Sequence, residues 1–175
     1  FLERNFGKQA ARFATLGAAL ATPLFWYLTT QPLYQHATAF FAVTMLIDLT
    51  DRYRDKLSLR RCVVLGVWSA IAALQRPQEA LWMLPLAFLM LSQLVASLRQ
   101  GNRGDALIVI GKGLLILAVT VIVFSPQALL WQHYYGQLRA PQKPGHFLWD
   151  NPAIVESLFS LRAGIFPWVP LTYLS

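Results

Sequence analysis

The run ALIVIGKGLLILAVTVIVFSPQALL, residues 106–130, decides the fold class of this chain. A transmembrane helix needs about 20 consecutive and mostly apolar residues, and this run is longer than that. Pro126 lies near its end. The run therefore predicts a helix that crosses a membrane.

The composition of the whole chain agrees with a membrane protein. Of its 175 residues, 56% are hydrophobic and only 13% are charged, whereas a soluble domain usually has about 25% charged residues. In a soluble protein, the net charge of +7 would suggest nucleic acid as the partner. Here the basic residues cluster between apolar runs, so we expect the lipid bilayer as partner and no nucleic acid.

Four further apolar runs complete the prediction of an all-α, polytopic transmembrane helix bundle. The predicted membrane domain covers residues 1–125, and its last span runs past that boundary. Residues 126–170 are predicted to form a Pro/aromatic-rich extracytoplasmic segment, and residues 171–175 begin a further span. The five predicted spans are about 13–30, 33–49, 62–74, 80–98 and 106–130.

The basic residues mark every second connection between these spans. Cytoplasmic connections of membrane proteins carry an excess of lysine and arginine, so we expect the marked connections to be cytoplasmic. They contain Arg4, Lys8, Arg12, Arg52, Arg54, Lys56, Arg60, Arg61, Arg99, Arg103 and Lys112. The remaining basic residues are Arg76, Arg139, Lys143 and Arg162.

The outer turn QRPQE, residues 75–79, has unusual chemistry for a short connection. Pro77 fits the first turn of the fourth span, where its missing N–H costs nothing, and Glu79 meets the positive end of that helix. Arg76 is a basic residue in a predicted outer connection, where lysine and arginine are usually scarce. Its planar guanidinium group has five N–H donors, an arrangement that suits phosphate. We interpret Arg76 as a phosphate ligand at the outer leaflet; a snorkelling interfacial arginine is the alternative.

Aromatic residues near the end of the fifth span and beyond it suggest a possible substrate groove. One interpretation is an aromatic belt at the membrane surface followed by a re-entrant segment. The other is a groove in which aromatic rings stack on sugar faces and an arginine binds an anionic group. A histidine joins the candidates, although a lone histidine at a membrane interface is more often structural. The candidate groove residues are His36, Trp131, Tyr134, Tyr135, Arg162 and Trp168.

Metal and cofactor motifs are missing from the sequence. The three histidines have no ligand spacing with each other or with the lone Cys62. There is no phosphate loop, dinucleotide fingerprint or GxSxG motif. We therefore predict no metal site and no evident cofactor, and a requirement for a divalent metal stays open.

Several short motifs occur in an order that resembles a known family. They are TPLxxYL and HAxxFF, a basic turn, an RPQ-type helix start, SPQ…W…YYG and LFSxRxGIFxWxPL. Over residues 22–171 this order resembles bacterial polytopic glycosyltransferases of the GT-C superfamily. Within that superfamily, it resembles the broad group related to protein O-mannosyltransferases and lipid A aminoarabinose transferases.

The resemblance implies an integral enzyme of the bacterial inner membrane, a glycosyltransferase of the hexosyltransferase type. It would move a sugar from a polyprenyl-phosphate donor to an acceptor on the extracytoplasmic side. Arg76, assisted by Gln75 and Gln78, would then bind the donor phosphate. In such enzymes an aspartate of the first outer loop acts as base, and no acidic residue here matches it. We therefore expect an internal fragment whose catalytic residue lies upstream of residue 1.

Other functions also fit parts of the pattern. A transporter or flippase of lipid-linked sugars would share the basic turns and the outer arginine, although such proteins more often have interrupted helices and polar residues at mid-membrane. Another glycan-handling enzyme, such as an O-antigen ligase or polymerase, is a closer alternative. A non-catalytic membrane scaffold fits the polar outer turns least well.

Overall fold

The computed structural model of the chain describes residues 1–20, 22, 24–30, 35–138, 155 and 159. Every regular element within those ranges is helical, which confirms the all-α prediction. The elements are α1 (Leu2–Phe6), α2 (Lys8–Leu20), α3 (Leu24–Thr29), α4 (Gln35–Tyr53), α5 (Leu59–Gln75), a 3-10 helix (Pro77–Met83), α6 (Leu84–Arg99) and α7 (Arg103–Tyr135).

Two helical segments are long and apolar enough to cross a membrane. They are Pro77–Arg99, which joins the 3-10 helix to α6, and Arg103–Tyr135, which is α7. Most of their apolar side chains are not buried within the described part of the protein. Exposed apolar helix faces of this kind suit contact with lipid.

The chain divides into two compact units. In the smaller unit, which includes Leu2–Ala37, α1 packs on α2 and α2 packs on α3, and none of the residues of these short helices is buried. The larger unit includes Thr38–Pro141 and contains the buried core. The core combines Leu46, Cys62, Leu65, Leu86 and Ile116, which come from α4, α5, α6 and α7.

Helix α5 approaches α7 closely at Gly66. A Cβ atom at Gly66 would lie 2.7 Å from the Cβ of Val119 and 2.8 Å from the carbonyl oxygen of Ile116. The hydroxyl of Thr120 donates hydrogen bonds to the carbonyl oxygens of Gly66 (3.1 Å) and Ile116 (2.8 Å). Lipid tails are as apolar as leucine, so such close packing and interhelical hydrogen bonds drive helix association in a membrane.

Helix α5 ends because a proline follows it. A proline disfavours helical backbone at the preceding residue, and Arg76 has the extended angles φ −154° and ψ 136°. Pro77 then occupies the start of the 3-10 helix, where its missing N–H is tolerated, and Glu79 lies in the first turn. The predicted placement of both residues at the beginning of a helix is confirmed.

Helix α7 continues through Pro126, although a proline removes a hydrogen bond from a helix. In a regular helix the N–H of residue 126 would donate to the carbonyl oxygen of Ile122, but proline has no N–H. That carbonyl oxygen accepts instead from the hydroxyl of Ser125 at 2.8 Å. Gly136 ends the helix in the left-handed region at φ 67°. The residues of α7 therefore form one uninterrupted helix of 33 residues.

The helix bounds differ from the predicted spans in two places. Instead of one helix over 13–30, α2 ends at Leu20 and α3 begins at Leu24. Between them, the hydroxyl of Thr22 donates to the carbonyl oxygen of Ala18 and accepts from the N–H of Leu24, so it caps both helices. The fifth predicted span ends at about residue 130, whereas α7 continues to Tyr135.

The other predicted spans coincide with described helices, and their membrane limits stay predictions. Residues 35–49 of the second span lie in α4, whereas positions 33 and 34 are outside the described residues, as are residues 171–175. The third span lies within α5, the fourth within the 3-10 helix and α6, and the fifth within α7.

The larger unit has a basic end, where residues 54–58 connect α4 to α5 and residues 100–102 connect α6 to α7. The basic residues in and beside these connections include Arg54, Lys56, Arg99 and Arg103. The amide nitrogen of Gln93 in α6 donates to the carbonyl oxygen of Arg54 at 2.8 Å, which holds the two connections at the same end. Arg52 pairs with Asp48 at 2.6 Å, and Arg54 pairs with Asp51 at 3.3 Å. These ion pairs are local to α4 and its end, so the connection is a charged surface with a net positive charge.

Candidate functional site

The site centres on the junction between α5 and the 3-10 helix, residues 75–79. Gln75 is the last residue of α5, Arg76 is the extended residue between the two helices, and Gln78 lies in the 3-10 helix. Gln75 and Arg76 are half-buried, whereas Gln78 is exposed. The carbonyl oxygen of Arg76 accepts from the N–H of Glu79 at 2.9 Å, which closes the first 3-10 turn.

Thr38 fixes the side chain of Gln75. Its hydroxyl, at the beginning of α4, donates to Gln75 Oε1 at 2.7 Å. Among the described residues the amide nitrogen of Gln75 has no acceptor, so the carboxamide presents two N–H donors beside Arg76. The arrangement combines a guanidinium with a positioned amide donor, which is the chemistry that binds an oxyanion.

Thr38 was not predicted as a site residue from the sequence. It forms part of the HAxxFF motif, but its role depends on the pairing of α4 with α5. The ring of Phe41 meets that of Trp68 edge-on at 5.7 Å and sets this pairing one turn further along α4. The sequence carries no signal for this bond, because the facing of Thr38 and Gln75 follows only from the packing of α4 on α5.

The aromatic end of α7 lies at the same end of the larger unit as Arg76. The contact of Gly66 with Thr120 fixes the register of α5 against α7. From that contact, Arg76 is about 15 Å along α5 and Trp131 a similar distance along α7, at 1.5 Å per residue. Both helices begin at the basic end of the larger unit and run in the same direction. We therefore infer that Arg76 and Trp131 lie at similar distances from that end.

Trp131, Tyr134 and Tyr135 share one face of the last turns of α7, since residues three and four apart are neighbours on a helix. Trp131 meets Phe124 edge-on at 5.7 Å, and Tyr134 meets His133 edge-on at 5.1 Å. The two tyrosines are exposed. Exposed, supported rings of this kind can stack on the apolar face of a sugar.

The remaining predicted groove residues lie in the smaller unit or outside the described residues. His36 belongs to the smaller unit, where its ring stacks on Tyr27 with centroids 4.2 Å apart. Such a contact suits a structural histidine, and a functional role for it stays a prediction. Arg162 and Trp168 lie outside the residues that the structure describes.

Metal ligands do not cluster in the described part of the chain. No group of three or more histidine, cysteine, aspartate or glutamate side chains there could hold a metal ion. Glu79 has no ion pair among these residues, and it lies at the positive end of the 3-10 helix. The electrostatics of the junction therefore rest on Arg76, the helix end and Glu79.

The chain matches the model of a known protein family. The model of the Alg9-like mannosyltransferase family matches residues 1–151, which is most of the chain and includes α1 to α7. No curated protein matches the chain, and no solved structure matches it.

Proposed function

We propose, because the chain belongs to the Alg9-like mannosyltransferase family, that it transfers mannose from a polyprenyl-phosphate donor to an acceptor outside the cytoplasm. The family is one of membrane glycosyltransferases that use a lipid-linked sugar donor. The chain is thus part of a membrane glycosyltransferase, in agreement with its two long apolar segments. We also propose that the carrier is polyprenyl phosphate and that transfer takes place on the extracytoplasmic side of the bacterial inner membrane. The membership of the GT-C superfamily is likewise part of this proposal.

The observation that carries the proposal is the geometry of Arg76 and Gln75. Arg76 is half-buried at the end of an apolar helix, in a backbone conformation imposed by Pro77. Gln75 beside it is held by Thr38 at 2.7 Å. A guanidinium and an amide donor next to apolar helix faces suit a phosphate that is attached to a lipid chain. Gln78, the second residue of the 3-10 helix, completes the proposed donor-phosphate site.

The chemistry explains why a fixed cation is useful there. When the sugar leaves its carrier, the bond from the anomeric carbon to the phosphate oxygen breaks and negative charge grows on the polyprenyl phosphate. The acceptor oxygen forms the new glycosidic bond and gives its proton to a catalytic base, for which we propose no residue of this chain. Donors that are already oriented toward the growing charge lower the barrier without reorganising, and a low-dielectric site strengthens them. Arg76 is the proposed source of this stabilisation.

The aromatic end of α7 is the proposed sugar-binding part of the site. Trp131, Tyr134 and Tyr135 are level with Arg76 along the bundle by the register of α5 and α7. The rings would stack on the transferred sugar or on the acceptor. His36, Arg162 and Trp168 remain proposed members of the same groove, and we propose no metal or other cofactor.

The test uses the full-length protein in liposomes that contain polyprenyl-phosphate mannose with a radioactive sugar. Membranes from cells that lack the protein supply the acceptor. We expect the label to move from the lipid into the acceptor fraction. If the labelled lipid crosses the bilayer with its sugar still attached and no transfer occurs, the protein is a flippase and the proposal is wrong. Transfer from nucleotide-linked mannose alone would exclude the polyprenyl-phosphate donor.

The hydrogen bond from Thr38 gives a first prediction. Thr38→Val keeps the shape of the side chain but removes the hydroxyl, so Gln75 loses its fixed orientation. We expect kcat/KM for the lipid donor to fall about two- to tenfold, the usual worth of one hydrogen bond. Thr38→Ser should restore it. Thr44→Val on the same helix is the control, since the exposed Thr44 has no side-chain hydrogen bond among the described residues. Equal activity of Thr38→Val and wild type would remove Gln75 from the site.

A further inference from the structure

A cavity of about 320 Å³ lies between α6 and α7 near the basic end of the larger unit. It is distant from residues 75–79, which lie at the other end of α5. One wall comes from α6 and the other from α7, the two helices that belong to the membrane-crossing candidates. The lining residues are Gln93, Ala96, Ser97, Gln100, Asp105, Ile108, Val109 and Lys112.

Lys112 is the unusual member of this wall. It lies about 14 Å along α7 from Arg103, so it is within the apolar helix and not at its end. It is half-buried and has no ion pair among the described residues. An ammonium group at membrane depth is costly unless it has a counter-charge or reaches water, and such residues commonly mark a binding site. An anion in the cavity would provide that counter-charge.

Asp105 gives the cavity a second charge of opposite sign. It lies two turns before Lys112 on α7, about 10 Å nearer the basic end, so it is closer to the water. Its carboxylate accepts from the amide nitrogen of Asn102 at 2.6 Å, which holds it at the start of the helix. The charges of Lys112 and Asp105 cancel, so the cavity lining has no net charge. A ligand with several phosphates would therefore bind poorly. The complementary ligand is a zwitterion with its anion deep in the membrane and its cation toward the water.

We propose that this cavity binds the head group of an aminophospholipid such as phosphatidylethanolamine. Lys112 binds the phosphate, Asp105 binds the primary ammonium, and Gln100, which directly follows α6 on the opposite wall, contacts the head group through its carboxamide. In this lipid the amine is further from the hydrocarbon than the phosphate, which matches the order of the two charges along α7. Ala96, Ile108 and Val109 supply apolar contacts for the glycerol end of the lipid.

The exposed faces of the two helices support a lipid as the ligand. The apolar side chains of α6 and α7 are mostly unburied, so acyl chains can lie along them directly outside the cavity. This inference does not depend on the glycosyl-transfer reaction, since it uses only the membrane placement of α6 and α7.

The test measures lipid binding to the full-length protein in phosphatidylcholine bilayers by electron paramagnetic resonance of spin-labelled lipids. We expect phosphatidylethanolamine to be immobilised more strongly than phosphatidylcholine, because a quaternary ammonium cannot donate hydrogen bonds to Asp105. Lys112→Gln should weaken the binding of phosphatidylethanolamine, phosphatidylglycerol and phosphatidylcholine alike by about tenfold, the effect of losing a charged hydrogen-bond partner, because all three lipids carry the phosphate. Asp105→Asn should weaken only phosphatidylethanolamine.

Lys56→Gln is the matched control, because Lys56 is an exposed lysine of the basic end that does not line the cavity. It should leave all three lipids unaffected. The proposal is wrong if Lys112→Gln binds phosphatidylethanolamine like the wild type, or if Lys56→Gln weakens it equally. Glycerophosphoethanolamine, which has the head group without acyl chains, should not displace the lipid. Displacement at equal concentration would show a water-soluble ligand and overturn the lipid assignment.

Discussion

Replacing Arg76 by alanine abolishes most of the sugar transfer of the full-length enzyme and leaves its fold intact. We expect kcat to fall by about 100-fold or more, as occurs when one donor to a developing oxyanion is removed. The protein should still fold, because Arg76 lies outside the buried core and the break between α5 and the 3-10 helix is set by Pro77. The measurements are donor turnover in liposomes and thermal unfolding in detergent.

Two further variants separate the geometry of Arg76 from its charge. Arg76→Lys keeps the charge but loses the planar fork, so it should restore only part of the activity. Arg99→Ala removes the same charge at the end of α6, where the exposed Arg99 has no ion pair within the described ranges. That variant should be as active as wild type. Retention of more than half of the wild-type turnover by Arg76→Ala would exclude the donor-phosphate role.

The largest effect on folding is expected at Gly66. A leucine there cannot be accommodated, because even a Cβ atom would lie 2.8 Å from the backbone oxygen of Ile116 and 2.7 Å from the Cβ of Val119. To relieve these contacts α7 must move away, and the hydrogen bond from Thr120 to Gly66 is then lost. We expect Gly66→Ala to destabilise the protein by about 1–3 kcal/mol, as overpacking usually does, and Gly66→Leu to give no folded protein.

Gly111 provides the control for this prediction. It is also a helical glycine, in α7, and a Cβ atom there would meet nothing within 4 Å. Gly111→Ala should be neutral, or stabilising by up to about 1 kcal/mol because alanine favours the helix over glycine. Thermal unfolding of the two alanine variants, measured side by side in the same detergent, distinguishes a steric effect at Gly66 from a general effect of helix propensity. Equal unfolding temperatures would contradict the close α5–α7 contact.

The sequence was informative where local chemistry decides the structure. Apolar runs of sufficient length indicated helices, and the Arg76–Pro77 pair indicated where one helix ends and the next begins. The break after Leu20 was missed because residues 13–30 are apolar enough as a whole to suggest one span. The capping hydrogen bonds of Thr22 interrupt that span locally. The continuation of α7 beyond position 130 was missed for a related reason, since Ser125 compensates for Pro126.

Contacts between helices could not be predicted in the same way. The bond from Thr38 to Gln75 joins residues of different helices, and nothing in either segment alone fixes their pairing. The close approach at Gly66 and the cavity beside Lys112 likewise depend on how α7 packs on α5 and α6. The sequence therefore indicates which residues carry the chemistry of the candidate site, but the tertiary structure supplies their neighbours.

The length of α7 has a consequence for where the acceptor meets the enzyme. A helix of 33 residues is about 50 Å long, whereas the hydrocarbon layer is about 30 Å thick. A tilt of about 20° from the bilayer normal only slightly shortens the distance that the helix covers along that normal. At least one end of α7 must therefore stand clear of the hydrocarbon. If Arg103, the first residue of α7, lies at the inner boundary of the hydrocarbon, Trp131 is about 42 Å along the helix and therefore lies beyond the outer boundary. A hydrophilic acceptor could then be captured in water, above the membrane surface, without having to dissolve in the bilayer.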